Sequence, residues 1–241
     1  MPRDDLKTVG FAAVICVVCS LLLSTTASTL RERQAMNVEL DRKINVLKAF
    51  GVPVEDKEGK TIAADEVERY FSDHISEILL EKATGNVLEG KTSADIPKDE
   101  RKAKKVADKT ILPLYVWKDD GKTTKYAFPV SGQGLWSTIY GYCALDSSAK
   151  EVVGVTFYDH AETPGLGGEC SAEWFQSQFS GKIIWADGTL YPITVVKGDA
   201  GDNPHAVDGI TGATMTGNGI QIFLRNDLEA YDKYFSKVRG G

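Results

Sequence analysis

From Thr8 to Leu30 the chain carries no charge, and the centre of this run reads VGFAAVICVVCSLLLS. At about 1.5 Å per residue a helix over this stretch exceeds a hydrocarbon core of roughly 30 Å. A helical pattern continues directly after it. In RERQAMNVELDRKINVLKAFG, residues Met36, Leu40, Ile44 and Leu47 fall at helical spacing and Gly51 is a plausible stop. The reading is a single N-terminal transmembrane anchor. A cleaved leader is the rival, since small residues occur near Ala27, but the uncharged run is longer than a signal core and no A-x-A pattern stands there. Charge bias leaves the orientation open, because Arg3 and Lys7 on one side face Arg31 and Arg33 on the other.

Further along, Val67, Tyr70, Phe71, Ile75 and Ile78 predict an amphipathic helix over Asp65 to Leu79. Thr84 to Lys109 is polar, lysine-rich and without period, and reads as an irregular connection. The pattern then turns to strands. LPLYVWKDDGKTTKYAFPV places apolar runs on both sides of Asp119-Asp120-Gly121, a hairpin signal. GLWSTIYGYCALD and EVVGVTFYDH are rich in aromatic and β-branched residues, and KIIWADGTLYPITVVKG predicts a second hairpin at Ala186-Asp187-Gly188. Gly219 to Lys237 is a helix, with Ile220, Phe223, Leu224, Leu228, Tyr231 and Phe235 on one stripe. The expected fold is α+β: an anchor over residues 1–30, a helical and irregular connecting region over 31–110, and over 111–241 a domain with a twisted, mostly antiparallel sheet flanked by helices.

Composition narrows the chemistry. With 241 residues, 42% hydrophobic and a net charge of -6, the chain offers no basic stripe for nucleic acid. Its densest basic cluster, Lys98 to Lys109, is interspersed with acids and reads as a solvated face. Cys16 and Cys19 form a CxxC, but inside the apolar run, where they read as small hydrophobes. Cys143 and Cys170 are read as free thiols, though spacing leaves a disulfide open. His74, His160 and His205 have no metal-ligand spacing, so no metal site is expected.

Three stretches are candidates for function. GQGLWSTIYG (132–141) sets two glycines beside Trp136 and two hydroxyls. HAETPGLGGE (160–169) is a turn-dense loop after a strand. DGITGATMTG (208–217) is a glycine-rich turn before the last helix, able to aim backbone N–H groups at an anion, but it is no P-loop because no Lys follows the glycines. The plain alternative is that Thr216 or Asn218 caps that helix. A threonine without a neighbouring base is a poor nucleophile by itself, which suits an attachment point modified by another enzyme. No catalytic residue is assigned.

DGITGATMT resembles the Asp-Gly-x-Ser/Thr-Gly-Ala-Thr/Ser-x-Thr pattern of the covalent-flavin FMN-binding domain family. ETPGLGGE and GQGLWSTIYGY are similar to that family's other two signatures, in the family's order. With the anchor and ELDRKINVLKAFG the likeness spans nearly the whole chain and points to the C subunits of bacterial Na+-translocating NADH:quinone reductases. The G subunits of the ferredoxin-oxidising Rnf complex share two of the motifs; GLWS and LDRKINVLKAFG favour the former.

The resemblance implies an electron-transferring flavoprotein subunit with FMN covalently joined to Thr216 by a phosphoester, made from FAD by a separate flavin transferase. The ester needs an exposed hydroxyl, and Gly212, Gly217 and Gly219 are expected to leave room around it. Asp208, Gly209, Thr211, Gly212, Ala213 and Thr214 match the rest of the motif. Glu162, Thr163, Leu166 and Gly167, with Trp136, Ser137 and Thr138, are expected to line the flavin. The implied partners are the other subunits of the reductase, the transferase and the membrane. The implied location is the bacterial inner membrane, single-pass, with the soluble domain periplasmic and Met1 in the cytoplasm. The reading from a different class is a membrane-anchored binding module without cofactor.

Overall fold

The computed structural model describes residues 3–55, 60–101 and 103–240. It divides into two units, Met1–Arg42 and Lys43–Gly241. The expected position of Met1 lies outside the described residues.

Helix α1 (Arg3–Ala49) begins in the first unit. Its most apolar stretch reaches a mean hydropathy of 2.3 and is wholly unburied, and α1 is the one described helix long and apolar enough to cross a membrane. The hydroxyls of Thr25 and Thr26 donate back to the carbonyls of Leu21 and Leu22 at 2.7 and 2.8 Å. These two hydroxyls are thus satisfied inside the helix, as hydrocarbon surroundings demand.

The second unit continues with α2 (Ala64–His74), β1 (Ile75–Glu81), β2 (Asn86–Val87), the short α3 (Lys98–Arg101), β3 (Ile111–Asp119), β4 (Lys122–Gln133), β5 (Thr138–Asp146) and β6 (Val152–Asp159). After these come α4 (Glu173–Gln176), β7 (Trp185–Ala186), β8 (Thr189–Leu190), β9 (Thr194–Val196), β10 (Ala206–Asp208) and α5 (Thr214–Gly240). Strands β1 to β6 form one antiparallel sheet in the order β2-β1-β3-β4-β5-β6. The β3–β4 hairpin turns at Asp120-Gly121 (φ 49° and 77°) and the β7–β8 hairpin at Asp187-Gly188 (φ 50° and 75°). Both central residues have positive φ, so Asp-Gly is the pair such two-residue turns select.

Alternation along the strands assigns the two faces. On one, Phe128 meets Tyr231 and Phe235 of α5 at ring distances of 4.5 and 5.7 Å, and Phe157 meets Phe223 at 6.0 Å. The whole stripe read from the sequence, Ile220 to Phe235, is buried there. On the other face Phe50 packs edge-on against Trp117 at 5.3 Å, and Phe71 of α2 lies 6.4 Å from Tyr115. Val46, Leu47, Ala49 and Phe50, at the end of α1 and just beyond it, are fully buried.

Three elements differ from the sequence expectation. The helix predicted over Asp65 to Leu79 stops at His74, and Ile75–Glu81 is a strand paired along its whole length with β3. The spacing of Ile75 and Ile78 suits either form, and the open edge of β3 decides it. Residues 31–110 therefore supply two strands of the sheet instead of a connection packed on it. In the second hairpin only β7 and β8 pair; Thr194–Val196 pairs in parallel with Ala206–Asp208. Finally, α5 starts at Thr214, five residues early. The Gly217 N–H donates to the Ala213 carbonyl at 3.0 Å, so Thr216 and Asn218 lie inside the helix and neither caps it.

Candidate functional site

The three candidate stretches meet at one buried carboxylate. Glu162 follows β6 and is 5% exposed. Its Oε1 accepts the N–H groups of Trp136 and Ser137, both at 2.9 Å, and the Ser137 hydroxyl at 3.2 Å. Its Oε2 accepts the Leu135 N–H at 3.2 Å and the Thr216 hydroxyl at 2.7 Å. Three consecutive N–H groups converge because the 134–137 segment folds back between β4 and β5, closed by Gly134 N–H to the Ser137 carbonyl at 2.8 Å. Burial pushes the Glu162 carboxyl up. The Thr216 hydroxyl and the three N–H groups outweigh that and hold it below the usual carboxylate range.

Glycines permit this convergence. A Cβ on Gly167 would stand 2.6 Å from Thr216 Oγ1 and 2.8 Å from Glu162 Oε2, and one on Gly134 would stand 2.7 Å from Glu162 Oε1. The expectation of an exposed hydroxyl with glycine-made room is corrected here: Thr216 is 1% exposed. Gly217 and Gly219 serve other contacts. A Cβ on Gly219 would meet the Gln133 carbonyl at 2.3 Å, and one on Gly217 would meet Val195 Cγ1 at 2.9 Å. They let the start of α5 lie against β4 and β9. Gly212 does need its left-handed φ of 76°, and it sits under Leu166. The sequence also read Thr216 as having no base nearby. The fold supplies one from 54 residues away.

The other candidate residues take different places around this carboxylate. Trp136 (71% exposed), Leu135, Leu166 and Met215 are large apolar side chains open to solvent around Thr216. Thr211, Gly212, Ala213 and Thr214 line a cavity of about 270 Å³ together with Lys197, which follows β9. Asp208 and Gly209 instead hold the loop in place. The Asp208 N–H donates to Gln178 Oε1 at 2.7 Å, its Oδ1 accepts the Ala200 N–H at 2.7 Å, and a Cβ on Gly209 would collide with the Val196 carbonyl at 2.3 Å. Thr163 offers its carbonyl to the N–H groups of Leu166 and Gly168 at 3.1 and 2.9 Å and shapes the turn. Thr138 pairs with Gln133 at the start of β5. Lys197 carried no sequence signal, because the parallel β9–β10 pair brings it to the motif.

These surroundings fit a phosphate joined to a flat aromatic group. A lysine, a glycine turn and the first-turn N–H groups of a 27-residue helix stand together, a combination that favours an anion. The cavity is large enough for a phosphate, and the exposed Trp136, Leu135, Leu166 and Met215 offer a flat ring an apolar bed.

A flavin-binding protein is the class that this fold and site define, and the FMN-binding domain family matches residues 134–229, a span that contains the second and third stretches whole and the first from Gly134 onward. The chain is 33% identical over 98% of its length to the C subunit of the Na(+)-translocating NADH-quinone reductase of Vibrio campbellii, spanning 95% of that protein. It is 32% identical to the corresponding protein of Yersinia pestis, over 98% of this chain and 93% of that one. Among solved structures it is similar to the same reductase's C subunit from Parabacteroides distasonis (TM-score 0.70, 31% identity, 86% of this chain and 97% of that chain) and to NqrC of Shewanella oneidensis (TM-score 0.70, 27% identity, 83% and 97%). The chain belongs to the family of C subunits of the Na+-translocating NADH-quinone reductase.

Proposed function

We propose that this chain carries FMN joined through a phosphoester to Thr216 and passes electrons within a Na+-translocating NADH:quinone reductase. The observation that carries this reading is the position of Thr216 Oγ1. It is the atom where the helix-start motif, the Glu162–Gly168 loop and the 134–137 segment come together. The flavin supplies the redox chemistry, so the chain itself needs to bind, orient and insulate. Lys197 and the first turn of α5 neutralise the linking phosphate. Leu166 and Trp136 exclude water from the ring. The Ser137 N–H and hydroxyl are engaged by Glu162, so the Thr138 hydroxyl, next to the apolar bed in sequence, is the group left to bond the ring edge and tune its potential.

The second unit is the flavin-bearing part, α1 is a single-pass anchor, and the soluble part lies on the periplasmic side. The partners are the other subunits of the reductase and, during maturation, a flavin transferase that donates FMN from FAD. Sodium movement belongs to the complex.

The test is the intact mass of the full chain produced with and without the transferase. One FMN is gained in its presence, and Thr216→Ala abolishes the gain. An unmodified parent chain despite active transferase supports a membrane-anchored binding module without cofactor. A labelled Thr216→Ala variant moves the attachment elsewhere.

A further inference from the structure

Resting on the reading that Thr216 is the attachment point, we infer that Glu162 is the catalytic base that receives the Thr216 proton when the flavin is attached. The contact has the geometry the step needs: Oγ1 to Oε2 is 2.7 Å, inside the range for direct proton transfer. The carboxylate is fixed from its other side by the N–H groups of Leu135, Trp136 and Ser137. Those donors belong to the 134–137 segment, not to the turn that covers Thr216. The cover is the Leu166–Gly168 turn, whose Gly167 leaves no room for even a Cβ beside Oγ1. A pyrophosphate therefore reaches Oγ1 only with that turn displaced, and Glu162 keeps its anchorage when the turn lifts.

The step balances as a phosphoryl-group transfer with no change of oxidation state. Thr216 Oγ1 attacks the phosphorus on the FMN side of the FAD pyrophosphate. The Oγ–P bond forms, the P–O bond to the AMP phosphate breaks, and AMP leaves with that electron pair. The Thr216 proton passes to Glu162 Oε2 and from there to water. Glu162 is held ionised beforehand, so it enters the step as an acceptor. Afterwards the hydroxyl donor is gone and a phosphodiester anion stands beside the carboxylate, which favours the proton on Glu162 until water removes it.

The experiment uses the full chain without flavin, purified transferase at saturating concentration and FAD, and follows the mass gain with time and pH. Glu162→Gln keeps the size and one acceptor oxygen but cannot take a proton. Its attachment rate is expected to fall about 100-fold or more, the low end of general-base effects. The wild-type rate is expected to decline as acid protonates Glu162, and the variant to lack that limb. A Glu162→Gln rate equal to wild type overturns the inference. So does a slow variant that keeps the wild-type acid limb, because the limb would then belong to another group and Glu162 would not be the proton acceptor. If Glu162→Gln does not fold, as judged by its circular dichroism, Glu162→Asp takes its place. That change withdraws the carboxylate by one methylene, and the rate is expected to fall while the acid limb persists; an unchanged rate overturns the inference. Failure of the underlying reading looks different: Thr216→Ala would then still gain FMN.

Discussion

Glu162 and Asp227 are both carboxylates sealed in the same unit, 5% and 0% exposed, yet their surroundings drive them in opposite directions. Glu162 accepts three backbone N–H groups and two hydroxyls, and its carboxyl is held below the ordinary range. Asp227, on α5, accepts two donors, the Ser131 N–H at 2.8 Å and the Ala107 N–H at 3.0 Å. Burial dominates there, and even with Lys109 nearby the Asp227 carboxyl is pushed up to about 7. Desolvation acts on both; the number of donors aimed at each decides the outcome. The carboxylate with more donors is the one beside the candidate attachment point. The other ties the 106–108 turn and β4 to the last helix.

The largest effect that would break this comparison lies in the pH dependence of stability. Asp227 has a folded value near 7 against an unfolded value near 3.8. Its contribution is therefore fully present below about pH 4 and is lost as pH rises through 7, on the order of 4 kcal/mol in all. Urea denaturation of the parent chain and Asp227→Asn between pH 4 and 9 checks it. The variant, which cannot ionise, is expected to gain on the parent as pH rises, and parallel curves would refute the assignment.

Glu162 should show the reverse sign. Its folded value is lowered, so its contribution is present above the unfolded value and disappears as pH falls through the folded one. Glu162→Gln is expected to cost about 2–3 kcal/mol at pH 7, the scale of hydrogen bonds to a charged group. Urea denaturation of the parent chain and Glu162→Gln, extended down to pH 3, should show that cost shrinking as the pH falls.

Two glycine substitutions sharpen the geometry. Gly167→Ala sets a Cβ against both Thr216 Oγ1 and Glu162 Oε2 and is expected to cost about 1–3 kcal/mol by overpacking. A thermal melt reads the loss, and the amide resonances of residues 135–137 should move with it. Gly212→Ala forces a left-handed φ of 76° on a residue with a Cβ and is expected to cost about 1–2 kcal/mol, with no shift at 135–137.

Burial also separates the thiols from the site chemistry. Cys143 and Cys170 are free and buried, and burial pushes both up to about 12. They pack as small hydrophobes, which agrees with their reading as free thiols.

Much was legible in the chain because it depends on near neighbours. The uncharged run, the Asp-Gly turns and the 3.6-residue stripe of α5 each carry their cause within a few residues. The three motifs were visible for the same reason, since glycines and hydroxyls cluster in them. Less visible was whatever depends on a partner far away in sequence. Ile75–Glu81 satisfies a helical and a strand pattern equally, and only the open edge of β3 made it a strand. The start of α5 moved forward because its glycines are needed for contact with β4 and β9, not for a cap. Lys197 reached the cavity through a parallel pairing that no local pattern announces.

By itself the sequence determined which segments are apolar, where the tight turns fall, and that Thr216 ends a glycine-rich motif beside a long helix. The tertiary structure alone decided that this hydroxyl is buried rather than exposed, and that it has an ionised carboxylate for a neighbour. The physical reason is the strand order of the sheet. β4 and β6 end on either side of the start of β5, so three N–H groups of the segment after β4 reach Glu162 after β6, and Thr216 in the first turn of α5 bonds the same carboxylate.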